Sequence, residues 1–353
     1  MDTILKLSTL IEAVIVNVGS DLHLSSERIP VMRVSGVLTQ IVNQEPLTQT
    51  EIFEMIKEMV KDERKVAQFL DNQELDFAYD YKDGSRLRGN AFFQKGEISI
   101  ALRLIPQVKT FKELNLPEAL AQFAYKKQGF FLIVGPVGQG KSTTMAAIID
   151  TINKERAEHI LTIEEPIEYI FESKKSIIDQ REVGIDTQTF ESALKSAFRE
   201  DANVIMVGEM RSPETISAAV TAAETGHFVI STLHTNNASQ TIDRIIDSFP
   251  AGQQTQIRSQ LSSSLLGIFS QRLIPRSSGG VVPAYELLIN TKASANLIRE
   301  GRTHEIDMII ETGSENGMID MNHSLVELVR KGEISVDDAR KFSLNPKSFD
   351  NLL

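Results

Sequence analysis

An apolar run over residues 130–134 leads into Gly135-Pro136-Val137-Gly138-Gln139-Gly140-Lys141-Ser142, and a helical pattern follows over residues 141–153. The eight residues fit G-x-x-x-x-G-K-[ST] in full. Glycines here let backbone N–H groups turn inward and approach an anion closely, and the following helix presents the positive end of its dipole to the same point. Lys141 supplies a mobile cation for β- and γ-phosphates, and Ser142 offers a hydroxyl to Mg²⁺. A chance match in a glycine-rich turn would lack the strand before it and the helix after it. Residues 135–143, with Thr143 the last, therefore read as a binding loop for ATP and Mg²⁺.

The surroundings of this loop set the fold class. From Leu116 onward, strands and helical patterns take turns, with further apolar strands at 160–164, 204–207 and 228–233. Such alternation predicts an α/β domain, a parallel sheet under covering helices. Residues 290–345 are mostly helical pattern. A chain of 353 residues has room for a second domain, and residues 1–105 read as a small α+β unit. Ile4, Leu7, Ile11, Val14 and Val18 form a helical stripe, interrupted by Asp2, Lys6 and Glu12. Strand patterns follow at 21–25, 31–34, 75–79, 86–93 and 98–105, with one helical stretch at 48–70 and a hairpin signal at Asp83-Gly84. Residues 106–116, polar and bounded by prolines, read as a linker to the loop-bearing domain at 117–353.

Composition removes several function classes. The 37 basic and 48 acidic residues leave a net charge of −11, which disfavours nucleic acid as the main partner. With no cysteine, disulfides and cysteine-ligated zinc are impossible. The N-terminal stripe lacks the leading basic residues and unbroken apolar run of a signal peptide. No stretch approaches the roughly 20 apolar residues of a membrane span. The expectation is a cytoplasmic protein without a transmembrane segment.

ATP chemistry needs acids near the phosphates. Residues 203–209 form an apolar strand ending in Glu209, and ligands of open α/β sheets sit at the carboxyl ends of strands. Glu209 is thus placed to act on Mg²⁺ through water; otherwise it is a solvated loop acid. Residues 160–168 form a second strand with Glu164, Glu165 and Glu168 at its end. Of these, Glu164 is the candidate base for the attacking water, against a salt-bridged surface cluster. His234 ends a third strand, where either a γ-phosphate sensor or a structural histidine fits.

Taken in order, residues 135–143, the acidic box at 162–168, Gly208-Glu209-Met210-Arg211 and the segment from Thr225-Gly226-His227 to His234-Thr235-Asn236 resemble the type II/IV secretion ATPases. They resemble most the type IV pilus retraction ATPases of the PilT/PilU twitching-motility kind. Residues 19–25, 86–92 (Arg86-Leu87-Arg88-Gly89-Asn90-Ala91-Phe92), 102–106, Gln271-Arg272-Leu273-Ile274-Pro275 and 297–301 extend the likeness nearly end to end. The resemblance implies a PAS-like N-terminal domain, a RecA-like C-terminal domain and a homo-hexameric ring. It implies ATP bound between the domains, with Arg88 and Arg103 closing on the phosphates. Glu164 would be the catalytic base, Glu209 the Walker-B acid and His234 the histidine-box residue.

Two positions depart from the family pattern. Glu165 stands where aspartate is usual, and Ser212 stands where aspartate usually follows the arginine, losing a charge beside Arg211. The implied partners are an inner-membrane pilus platform protein, which would hold the protein at the inner face of the membrane, and a paralogous pilus ATPase. Rival readings are a pilus extension or type II secretion ATPase, a DNA translocase, and a weakly active regulatory subunit. The extension enzymes typically carry a tetracysteine zinc module and a longer N-terminal region; with no cysteine and only about 100 residues before the linker, the expectation is retraction rather than extension. Retained Lys141, Glu164 and Glu209 speak against a merely regulatory subunit.

Overall fold

A computed structural model describes residues 3–34, 36–82 and 84–353, and the chain divides into two compact units, Met1–Gln107 and Val108–Leu353. The first unit runs α1 (Thr3–Val16), β1 (Gly19–Ser25), β2 (Val31–Val34), β3 (Val37–Gln40), α2 (Gln49–Val60), α3 (Glu63–Asn72), β4 (Glu74–Asp80), β5 (Arg86–Gln94) and β6 (Glu97–Ile105). Its sheet is antiparallel throughout, in the order β3-β2-β1-β6-β5-β4. Strand periodicity sends Leu22, Leu24, Leu87, Ile100 and Leu102 into a core with Leu7, Leu10, Ile11, Ile52 and Phe69. The opposite set includes Asp21, Arg88 and Arg103.

The helical stretch at 48–70 is two helices rather than one. Lys61 adopts a left-handed conformation (φ 52°) and ends α2, and the Asp62 carboxylate then accepts from Arg64 N to start α3. Strand β3 lies on the sheet edge with every residue exposed, so it carries no alternating burial signal. In the β4–β5 hairpin Asp80 pairs with Arg86. Asp83 of the expected turn, like Asp2, lies outside the described residues.

The second unit runs α4 (Glu118–Ala121), β7 (Gly129–Val134), α5 (Lys141–Glu155), β8 (His159–Glu164), β9 (Ile177–Glu182), α6 (Phe190–Ala197), β10 (Val204–Val207), α7 (Pro213–Glu224) and β11 (Phe228–Leu233). It continues with α8 (Ala238–Asp247), α9 (Ala251–Ser264), β12 (Leu265–Pro275), β13 (Val281–Ile289), α10 (Lys292–Glu300), α11 (Ile306–Thr312), α12 (Met321–Arg330), α13 (Val336–Phe342) and α14 (Pro346–Leu352). Val108, Phe111 and Leu114 pack against this unit's core, so most of the stretch read as a linker belongs to it.

The strand order is β13-β12-β7-β11-β10-β8-β9, parallel except for the β12–β13 pair. Alternate residues of each central strand enter two separate cores. Phe130, Leu132, Ile163, Ile205 and Val229 face one, and Phe131, Ile133, Met206, Phe228 and Ile230 face the other. Burial on both faces explains why these strands read as continuous apolar runs. Strands β9, β12 and β13 were not expected. Among the described residues no helix is long and apolar enough to cross a membrane.

Candidate active site

In the sheet order, β7, β11, β10 and β8 are consecutive and parallel, so their carboxyl ends lie side by side. The phosphate-type loop leaves β7, His234 follows β11, Gly208-Glu209 follow β10, and Glu164 ends β8. Sequence positions up to 99 residues apart are thus collected along one edge by strand pairing alone.

The loop between β7 and α5 depends on its glycines. Gly140, directly before α5, has φ 76°, and Gly135 has φ 149°, both outside the range comfortable for L side chains. At Gly135 a Cβ would also stand 2.5 Å from the Gln271 carbonyl oxygen. Ser142 sits in the first turn of α5, and among the described residues nothing engages its hydroxyl. The Thr143 hydroxyl is 2.7 Å from Tyr169 Oη.

Lys141 is buried, and its ammonium donates to Gly135 O and Pro136 O, both at 2.9 Å. It also lies 3.2 Å from His234 Nδ1. Loss of water pulls the Lys141 pKa down, opposed by the charges of Glu168 and Glu209. The His234 pKa is lowered by burial first and by the Lys141 charge second. An ammonium has only protons to give, so Nδ1 of a neutral His234 is the acceptor and its proton sits on Nε2. That Nε2 faces Glu209 Oε2 at 3.8 Å.

Glu164 is 4 % exposed. Its Oε1 accepts from Thr162 Oγ1 at 2.7 Å and Gln180 Nε2 at 3.3 Å, and its Oε2 accepts from Glu168 N at 3.3 Å. Burial outweighs these bonds and pushes its pKa up to about 7. A carboxyl poised there exchanges a proton near neutral pH, as a general base requires.

Both departures from the family pattern lie beside Arg211. Its guanidinium pairs with Glu209 Oε1 at 2.5 Å and Glu165 Oε2 at 3.5 Å. Glu165 thus brings its carboxylate to Arg211 from the neighbouring strand end, on a side chain one methylene longer than aspartate. Ser212 caps α7 by accepting from Thr215 N at 3.2 Å, a task serine performs about as well as aspartate. Glu209, Arg211, Thr232, His234, Thr235 and Arg244 line a cavity of about 320 Å³.

Arg88 and Arg103 lie in the first unit, directly opposite each other on β5 and β6, and both are exposed. Arg103 Nε donates to Asp21 Oδ1 at 2.8 Å, and among the described residues Arg88 has no ion-pair partner. Sequence reasoning passed over Arg211 as an organiser of the acids. It also passed over Gln271, whose side chain touches the loop, and over Glu286, a buried acid on β13. The available signals were a Ser270-Gln271-Arg272 run interrupting the apolar residues of β12 and a lone glutamate among those of β13.

No group of three histidine, cysteine, aspartate or glutamate side chains among the described residues is arranged to hold a metal by itself. Ser142 with Glu209 fits instead a Mg²⁺ that takes most of its ligands from water and phosphate.

A profile of the family described as "Type II/IV secretion system protein" matches residues 3–344. The chain is 44% identical over 332 residues to the "Type IV pilus retractation ATPase PilT" of Pseudomonas aeruginosa, covering 94% of this chain and 96% of that one. It is 44% identical over 322 residues to a "Twitching motility protein" of Neisseria gonorrhoeae, covering 90% and 85%. The crystal structure of the pilus retraction motor PilT with bound ADP superposes with a TM-score of 0.90 at 41% identity, covering 97% of this chain and 98% of that one.

Proposed function

The chain belongs to the type II/IV secretion system protein family, and on that premise we propose that it is the ATP-hydrolysing motor of type IV pilus retraction. The observation that carries the reading is the meeting of Lys141, Glu209 and His234 at adjoining strand ends, with the buried base Glu164 on the next strand. Likeness to an ADP-bound retraction motor over almost the whole chain supports the nucleotide and the process.

In the proposed reaction ATP and water give ADP and phosphate. Backbone N–H groups of residues 137–143 cradle the phosphates, and the Lys141 ammonium leaves the Gly135 and Pro136 carbonyls to neutralise phosphate charge. Ser142 and, through water, Glu209 hold Mg²⁺, which when bound screens the charge that develops on the phosphate oxygens. Glu164 accepts a proton from the attacking water. His234, neutral with its proton on Nε2, donates toward the terminal phosphate. Arg88 and Arg103 are proposed as further cations for the phosphates, engaged only in the working assembly, which ties hydrolysis to motion.

The proposed assembly is a homo-hexameric cytoplasmic ring at the inner face of the membrane, acting on a membrane-embedded pilus platform protein beside a paralogous ATPase. Two measurements test this. Steady-state ATPase assays of the purified protein, with Lys141→Ala as control, test the chemistry. Deletion of the gene, followed by counts of surface pili and a motility assay, tests the direction of work. Abundant pili without movement are expected, whereas bald cells would refute retraction in favour of extension.

A further inference from the structure

We infer that Gln271 is a positioning residue for the phosphate loop, fixing the Gln139–Gly140 peptide through its side-chain amide. The inference rests on the reading of residues 135–143 as a nucleotide site. Gln271 lies on β12, beside β7 in the sheet, and is 3 % exposed. Its Nε2 donates to the backbone oxygen of Gln139 at 2.8 Å, and its Oε1 accepts from the Thr144 hydroxyl at 2.6 Å. A backbone carbonyl only accepts, so the orientation of the amide is determined by its partners. The contact is returned, because Gln139 Oε1 accepts from Leu273 N at 2.7 Å. Two glutamines thus staple the last turn of the loop to one strand.

The consequence follows from peptide geometry. In a planar trans peptide the C=O and the next N–H point in opposite directions. Holding the Gln139 carbonyl toward β12 therefore aims the Gly140 N–H away from it. Without that anchor the peptide is free to turn its oxygen into the nest, where a carbonyl dipole repels phosphate. Gln271 also approaches the loop closely at both ends. A Cβ at Gly140 would meet Gln271 Nε2 at 3.0 Å, and one at Gly135 would meet Gln271 O at 2.5 Å. These glycines are thus required by the neighbouring strand as well as by a bound phosphate. The next residue of β12, Arg272, donates to Asn236 Oδ1 at 3.0 Å, two residues beyond His234. One strand consequently holds both the loop before α5 and the loop after β11.

The test uses the full chain, a fluorescent ADP analogue, steady-state ATPase kinetics and thermal melts. Gln271→Glu keeps the volume and the acceptor for Thr144 but sets an oxygen against the Gln139 carbonyl. It is expected to weaken ADP binding and raise KM for ATP by about tenfold, with kcat at saturation within about twofold. Gln139→Ala, at the less buried end of the staple, removes only the bond to Leu273 N and should weaken binding by about threefold. ADP binding by both folded variants as tight as wild type overturns the inference, as does a fall in kcat with KM unchanged. Should Gln271→Glu fail to fold, Gln271→Met, which loses both amide bonds at similar volume, decides by the same readouts. A wild-type chain that binds no ADP refutes the nucleotide site itself, a result distinct from either.

Discussion

The Lys141 ammonium and His234 Nδ1 are 3.2 Å apart, joining the end of β11 to the first residue of α5. The same ammonium rests on two carbonyls of its own loop, an internal stand-in for the phosphate charge it would otherwise meet. Lys141→Ala should lower ATP turnover by about a hundredfold or more, the cost of losing one charge-stabilising donor in a water-poor site. His234→Gln, which keeps a donor, should cost roughly tenfold, within the smaller range of general hydrogen-bond losses. Equal effects of the two in a coupled ATPase assay would show that the histidine is more than a partner of the lysine.

Glu164 yields a pH dependence. It must be ionised to take a proton, and burial has raised its pKa to about 7. Turnover should therefore rise with pH through about 7 and level off above it. Glu164→Gln should reduce kcat by roughly 10²–10⁴ and remove this limb from the residual activity. A wild-type profile flat between pH 6 and 8 would contradict the assignment.

The opposed arginines separate stability from activity. Like charges directly across a strand pair disfavour the fold, so removing one relieves rather than weakens the sheet. Arg88→Ala should leave unfolding free energy within about 0.5 kcal/mol of wild type, as an exposed change does. Its turnover should nevertheless fall by at least roughly tenfold if the side chain meets phosphate in the working assembly. Chemical denaturation and ATPase rates measured on the same preparation check both halves.

Glu286 predicts a stability slope. It is buried, accepts from Ala238 N at 2.8 Å and Ser270 Oγ at 3.2 Å, and has its pKa pushed from an ordinary 4.5 to about 7, burial being the main cause. Between those values the folded state binds more protons than the unfolded one, so stability falls as pH rises and becomes flat above about 7. Glu164 contributes in the same direction. Melting temperatures recorded from pH 4.5 to 8 should decline across this window, and Glu286→Gln should flatten part of the decline. A rising profile would mean that neither acid is protonated on burial.

Arg211 offers a comparison of partners. Arg211→Ala frees Glu209 and Glu165 together, whereas Glu165→Asp shortens one arm of the network. The first should reduce turnover more than the second, with the ratio read from kcat at saturating Mg²⁺ and ATP.

Local chemistry fixed much of this protein without help from the fold. Glycine, lysine and serine spacing set the loop at 135–142, and the apolar runs ahead of Glu164, Glu209 and His234 marked three strands whose ends bear functional groups. Those signals are short-range, because a nest needs particular backbone angles and a doubly buried strand needs an unbroken apolar run. Where short-range signals were weak, the reading was incomplete. An edge strand such as β3 shows no burial pattern, and the break at Lys61-Asp62 does not interrupt helical periodicity.

Only the tertiary structure decided which distant groups meet. Pairing of β8, β10 and β11 set Glu164, Glu209 and His234 side by side, and pairing of β7 with β12 brought Gln271 against the loop 132 residues earlier. The same packing set Glu165 against Arg211 and raised the pKa of Glu164. Such outcomes depend on strand order and on the exclusion of water, which are properties of the whole packed sheet rather than of any one segment.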